Sequence, residues 1–204
     1  MLKAFIFDLG NVLLLFSHDR MYAQVAELCG KAAGDVRDAF LSDDLGPRFE
    51  SGQISESELQ IHLEQRIGVR LEREPLHRAI ADIFTPNDEM LQVVDELRRQ
   101  DFRLVLLSNT NSIHIRWIES QYDVLSKFDA CVLSHEVGAL KPDPRIYAAA
   151  LAHTNCPPNE CFYTDDIGTY VAAGREIGLH AEVFHTAGGF GEQISRLGVE
   201  VSRT

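Results

Sequence analysis

One pattern constrains this chain more than any other: short apolar runs that stop on a carboxylate or a hydroxyl. Phe5-Ile6-Phe7 runs into Asp8, and Leu9-Gly10-Asn11-Val12 follows at once. Phe102 to Leu107 ends at Ser108-Asn109-Thr110-Asn111, and Cys161-Phe162-Tyr163-Thr164 ends at Asp165-Asp166. Ala130 to Leu133 and Ala181 to Phe184 are further runs of the same kind. Short continuous apolar runs of this sort suit strands covered on both faces. Helical stripes separate them, among them Leu91, Val94 and Leu97, then Ile113, Trp117 and Ile118, then Val171, Ala172, Gly174 and Ile177. Strands alternating with helices predict an α/β chain with a Rossmann-like parallel sheet and right-handed crossovers.

The alternation is interrupted once. From Ser17 to Phe84 only helical periodicity is found: Tyr22, Val25, Ala26 and Cys29 share one face, and Leu59, Leu63 and Ile67 share another. Ser55 and Glu58 have the spacing of a capping box, in which the hydroxyl takes a backbone N–H and the acid reaches back. Residues 17–84 are therefore expected to form an inserted helical cap domain, with 1–16 and 85–204 forming the core domain. Thr85-Pro86-Asn87-Asp88 reads as a helix start, with Thr85 capping and Pro86 at the first helical position. Asp143-Pro144 reads the same way. Gly188-Gly189-Phe190-Gly191 is too short for a dinucleotide fingerprint and reads as a turn.

The totals exclude several classes. Of the 204 residues, 45% are hydrophobic and 25% charged, as in ordinary globular proteins, and the formal net charge is −12. That charge, without any Lys/Arg run, argues against nucleic acid and acidic membrane as partners. Cys29, Cys131, Cys156 and Cys161 have no zinc or CxxC spacing, and the two that sit in strands read as buried hydrophobes. No apolar run is long enough to span a bilayer and none has the form of a leader, so a reduced, cytoplasmic protein is expected, as a monomer or weak homodimer.

In open parallel sheets ligands bind beyond the carboxyl ends of the strands, where Asp8, Ser108, Lys141 and Asp165-Asp166 all fall. A polar strand end is ordinary by itself, an isolated Lys-Pro is usually a solvated lysine, and a serine such as Ser108 often only opens a helix. Four such clusters with complementary chemistry say more. Asp8 is a candidate nucleophile, Ser108 and Lys141 are candidate anion holders, and three carboxylates suit a hard divalent cation.

In order and spacing, Asp8-Leu9-Gly10-Asn11-Val12, Leu107-Ser108-Asn109-Thr110-Asn111, Lys141-Pro142-Asp143 and Asp165-Asp166 resemble the four motifs of the haloacid dehalogenase superfamily. Within it they most resemble bacterial sugar-phosphate phosphatases of the α-D-glucose-1-phosphatase type. The resemblance covers nearly the whole chain, with the helical segment where that superfamily carries its cap. It implies a phosphatase acting on a small phosphorylated metabolite, with Asp8 attacking phosphorus to form an aspartyl-phosphate. Mg²⁺ would be held by Asp8, the Gly10 carbonyl and Asp165 or Asp166, with Asp166 favoured as the direct ligand. Ser108 and Asn109 would cradle the phosphoryl oxygens, and Lys141 would neutralise charge between nucleophile and phosphate. The physics agrees, since a carboxylate attacking a phosphate dianion needs cations beside both.

Two departures stand out. Phosphatases of this superfamily mostly carry a second Asp two places after the nucleophile, to protonate the leaving oxygen, and here that place is Gly10. Loss of a general acid lowers rates by on the order of 10²–10⁴. Either the leaving group is already good, or His18 or Asp19 donates, although Asp19 also reads as a helix cap. Tyr170 stands where relatives often carry Asn, which predicts a looser metal site. A metal-free dehalogenase, or a weak phosphate-binding module, therefore remains as an alternative. In the cap, Arg48 is a candidate for a second anion and Glu50 or Gln53 for sugar hydroxyls, around a tip at Gly52.

Overall fold

In the computed structural model, which describes residues 1–201, β1 (Ala4–Phe7) is the middle strand of a five-stranded sheet. It is flanked by β4 and β6, and the order across the sheet is β5-β4-β1-β6-β7, with every pairing parallel. Here β4 is Arg103–Ser108, β5 Ala130–Leu133, β6 Cys161–Asp165 and β7 His180–Val183. Chain order thus runs to one side of β1 and then to the other, so the sheet reverses direction at β1. That reversal opens a crevice at the carboxyl ends of the strands. The α/β, Rossmann-like architecture read from the sequence is the one found.

Period-two alternation sorts the side chains of β1. Phe5 and Phe7 face a core shared with Leu104, Leu106, Phe162 and Phe190, while Ala4 and Ile6 face Val105, Leu107, Tyr147 and Tyr163. Both faces are dry, which is why each strand reads as a continuous apolar run.

After β1, the short strand β2 (Leu14–Phe16) pairs antiparallel with β3 (Phe84–Pro86). Between these two strands lie five helices: α1 (His18–Cys29), α2 (Ala33–Leu41), α3 (Leu45–Glu50), α4 (Glu56–Ile67) and α5 (Arg73–Ala81). The faces predicted for α1 and α4 are the buried ones, and the Ser55/Glu58 capping box is present in both directions. Crossovers then carry the chain through α6 (Asp88–Arg99), α7 (Ser112–Gln121), α8 (Ser134–Val137), α9 (Pro144–Leu151), α10 (Gly168–Glu176) and α11 (Ala187–Ser195). Asp143 caps α9 by accepting from the Arg145 N–H at 2.9 Å, with Pro144 opening the helix. Among the described residues no helix is long and apolar enough to cross a membrane.

Three local readings are corrected. Thr85 and Pro86 belong to β3, where pairing of Leu14 with Pro86 uses them; α6 starts only at Asp88, and the Asn87 side chain donates to the Val12 carbonyl at 2.8 Å. Residues 188–191 are helical rather than a turn, because Thr186 caps α11 and Phe190 and Ile194 anchor its inner face. Ser17, not Asp19, caps α1, and Asp19 sits exposed in the first turn.

Candidate active site

Sheet register assembles the site. Phe7 of β1 pairs with Leu106 of β4 and with Thr164 of β6, so one step further Asp8 lies level with Leu107 and Asp165. The Asp8 N–H still donates to the Thr164 carbonyl at 3.0 Å, which holds the carboxylate at the strand's mouth. Strands in such a sheet are ~4.8 Å apart, near enough for one cation to serve two of them.

Lys141 is that cation. Its Nζ donates to Asp8 Oδ1 at 2.7 Å, to Asp165 Oδ2 at 2.6 Å and to the Leu107 carbonyl at 3.2 Å, and the residue is only 3% exposed. The Tyr170 ring lies 5.2 Å from the same Nζ. Burial alone would lower the pKa of Lys141; Asp8 and Asp165 outweigh it and hold the ammonium above its ordinary range. Asp8 is pushed up, first by burial and then by the charge of Asp165, against the pull of Lys141.

Asp166 completes a triad of acids. One carboxylate oxygen from each of Asp8, Asp165 and Asp166 lies within 4.8 Å of the others, a set of hard oxygen donors that suits a divalent cation such as Mg²⁺. The two aspartates of the pair are held differently. Asp165 accepts from Lys141 and from the Tyr163 hydroxyl (2.5 Å) on Oδ2, and from the Ile167 N–H (2.8 Å) on Oδ1. Among the described residues Asp166 has a single hydrogen-bond partner, Asn11, whose Nδ2 donates to it at 3.0 Å.

Ser108 is buried at the end of β4, and among the described residues its Oγ makes only a long 3.4 Å bond to the Asn109 carbonyl. The Asn109 amide bridges to Lys141, accepting from its backbone N–H at 2.7 Å and donating to its carbonyl at 3.2 Å. Asn109 Nδ2 also reaches the Tyr170 hydroxyl at 3.4 Å. Tyr170 thus packs on Lys141 and reaches Asn109.

Gly10 lies beside the ring of Phe16. A Cβ placed on Gly10 would be 2.7 Å from Phe16 Cε1, so the ring fills the volume that a side chain at this position would need. Phe16 in turn packs edge-on to His18, with centroids 5.0 Å apart.

Arg48 lies toward α4. It is close enough to Glu58 to help hold that carboxyl below its ordinary range, after the larger effect of Ser55. Its neighbour Glu50 instead lines a cavity of about 330 Å³ with His18, Tyr22, Phe40, Asn111 and His114. On a helix, residues two apart point ~200° from one another, which separates Arg48 from Glu50. The inner turn is fixed to the core: Ser134 Oγ donates to the Glu50 carbonyl at 2.5 Å, and Gly52, at φ +68°, passes so close to His135 that a Cβ would meet its carbonyl oxygen at 2.3 Å. Sequence reading missed Asn11 and Tyr163 as supports of the acids. The one local sign was Gly10-Asn11, a turn in which Asn11 takes φ 54°.

The haloacid dehalogenase-like hydrolase family matches residues 2–178, nearly the whole of this fold. The chain belongs to that family. Among curated proteins, this hydrolase is 27% identical over 188 residues to the D-ribitol-5-phosphate phosphatase of Bacteroides thetaiotaomicron, spanning 88% of the present chain and 90% of the relative. Among solved structures it is similar to a HAD-like family hydrolase from Porphyromonas gingivalis (27% identity, TM-score 0.82, covering 98% of this chain and 100% of the other). A HAD family enzyme from B. thetaiotaomicron, in complex with magnesium and inorganic phosphate, shares the fold at 23% identity and TM-score 0.80, over 91% of this chain and 96% of that one.

Proposed function

We propose that this hydrolase is a Mg²⁺-dependent phosphomonoester hydrolase acting on a small phosphorylated metabolite, of which a sugar phosphate is the foremost candidate. The observation that carries the reading is Asp8, bonded to Lys141 and within 4.8 Å of Asp165 and Asp166, beside the under-used hydroxyl of Ser108. The similarity to a D-ribitol-5-phosphate phosphatase supports the substrate class.

Asp8 attacks phosphorus, the bond to the leaving oxygen breaks, and the phosphoryl group rests on the Asp8 carboxylate until water displaces it. Lys141 offsets the charge that nucleophile and phosphoryl group bring together, and Ser108 Oγ with the Asn109 backbone N–H donates to the phosphoryl oxygens. A bound Mg²⁺ would supply Lewis-acid charge at those oxygens, held by Asp8, the Gly10 carbonyl and Asp166. Asp166 is the freer carboxylate of its pair, since Asp165 is engaged on both oxygens. Asp165 then positions Lys141. Residues 17–84 act as the cap domain over a core made of 1–16 and 85–204.

A panel of phosphorylated metabolites tests this, with Mg²⁺ or with chelator, on the wild type and Asp8→Asn. Phosphate release is expected only from the wild type with metal. Equal background from both proteins would refute the proposal, and turnover of a chloro-acid under full chelation would favour the dehalogenase alternative instead.

A further inference from the structure

The reaction proposed above lacks a proton donor for the leaving oxygen, and this inference rests on that reading. With Gly10 at the usual position and Phe16 against it, no side chain of the Asp8 loop can take the role. The donor has to come from another element that faces the site. We propose that Glu50, delivered by the helical insertion, is the general acid and base of this hydrolase.

Position supports it first. Glu50 lines a cavity between residues of the insertion and the start of α7, together with Asn111, which caps that helix, and His114 in its first turn. Its backbone is docked on the core through Ser134, whose one hydroxyl proton goes to the Glu50 carbonyl while its Oγ accepts from the Thr110 N–H at 2.9 Å. The Gly52 turn leaves no gap against His135, so residues 50–52 are seated rather than hovering. The charge of Lys141, which bonds Asp8, is felt at the Glu50 carboxyl, and the charge of Glu50 is felt in turn at Tyr170. Glu50 therefore lies close enough to Lys141, the partner of the nucleophile, for each to act on the other's charge.

Protonation supports it second. Burial raises Glu50 to about 7, with Lys141 opposing, so near neutrality it can both give and take a proton. The other candidates in the cavity are less suited. Burial lowers His114 to about 4 and also lowers His18, so both rings are neutral at that pH and are poor acids. Asp44 is exposed to water.

The chemistry balances. As an Asp8 oxygen bonds to phosphorus and the ester P–O bond breaks, the Glu50 proton passes to the leaving oxygen, giving an alcohol and a Glu50 carboxylate. In the second half that carboxylate takes a proton from the attacking water while the bond between Asp8 and phosphorus breaks. Phosphate, the Asp8 carboxylate and protonated Glu50 result.

The test is the leaving-group dependence of Glu50→Gln, an isosteric change that keeps the cavity filled. With Mg²⁺, phenyl phosphate needs its leaving oxygen protonated far more than p-nitrophenyl phosphate does. The variant is expected to slow phenyl phosphate by on the order of 10²–10⁴ and p-nitrophenyl phosphate by less than about 10-fold, with Glu50→Asp recovering part of the difference. Equal slowing of both esters, or no slowing of either, would overturn the role of Glu50. Absence of Mg²⁺-dependent turnover in the wild type, matched by Asp8→Asn, would instead overturn the phosphatase reading beneath it.

Discussion

The packing of Phe16 on Gly10 can be tested independently of any activity. Gly10 is not in the left-handed region, so its backbone accepts alanine, and relieving unfolded-chain freedom there would by itself stabilise by about 0.4–1 kcal/mol. The obstacle is the ring. The new Cβ would stand 2.7 Å from Phe16 Cε1, and ordinary contact begins near 3.4 Å, so the ring must retreat by about 0.7 Å. It is wedged between His18 at 5.0 Å and Phe84 at 6.2 Å, centroid to centroid. Overpacking of this kind costs about 1–3 kcal/mol, so Gly10→Ala is expected to destabilise by about 0.5–2 kcal/mol net. In a chain of this size that is a fall of roughly 1–8 °C in Tm. In a Phe16→Ala background the obstacle is gone, and the same Gly10→Ala change is expected to stabilise. Thermal or urea unfolding of the four proteins gives the coupling directly. A Gly10→Ala penalty of the same size in both backgrounds would refute the steric account of why the position is glycine.

Two further outcomes follow from contacts between the insertion and the core. Gly52→Ala places a Cβ against the His135 carbonyl at a left-handed φ, and is expected to lift the 50–52 turn, raise amide exchange across residues 49–54 and cost roughly 1–3 kcal/mol; unchanged exchange would show that the turn is not seated as described. Glu56 of α4 ties the insertion to α7: despite burial, which opposes ionisation, hydrogen bonds from Arg116, Ser112 and Arg73 lower it from 4.5 to about 2. A depressed carboxyl contributes its stability in full above the unfolded value, near pH 4.5, and loses it as pH falls through about 2. After allowing for screening of its half-exposed arginines, about 1–2 kcal/mol is at stake, so Tm of the wild type is expected to drop more steeply than that of Glu56→Gln between those pH values. Parallel Tm curves would contradict this.

What could be read from the chain and what could not have a common physical cause. The strands, Asp8, Ser108 and the acidic pair were legible because apolar runs and their polar ends are adjacent in sequence, whereas Lys141 lies beyond β5 and α8 and was legible only through its place among the ordered motifs. The Ser55 and Asp143 caps were legible because a cap is satisfied within three residues. Thr85-Pro86 misled because a distant strand, Leu14–Phe16, competes for the same backbone and wins. The turn assigned at Gly188 failed because burial of Phe190 and Ile194 outweighs the poor helix propensity of three glycines. Asn11 and Tyr163 escaped because each acts on a carboxylate, Asp166 or Asp165, whose orientation only the assembled site defines. The contacts of Tyr170 with Lys141 and Asn109 were hidden for the same reason, since they join residues about 30 and 60 positions apart.

The paired strands β2 and β3 have a consequence for how such a chain can change. Because Phe16 pairs with Phe84, the two ends of the helical segment already meet before the segment begins. For a segment closed at its base, each doubling of length adds only about 0.6 kcal/mol of closure entropy. The entropy of closing the chain therefore places little limit on the length of the segment beyond that ribbon. Length can therefore change in the insertion more cheaply than contacts can, because Glu50, Gly52 and Glu56 tie it to the core. The exception is the ribbon itself: Phe16 belongs to the stem and to the Gly10 site at once, so a new lid that repositions this one ring would reopen the place where a second aspartate could stand.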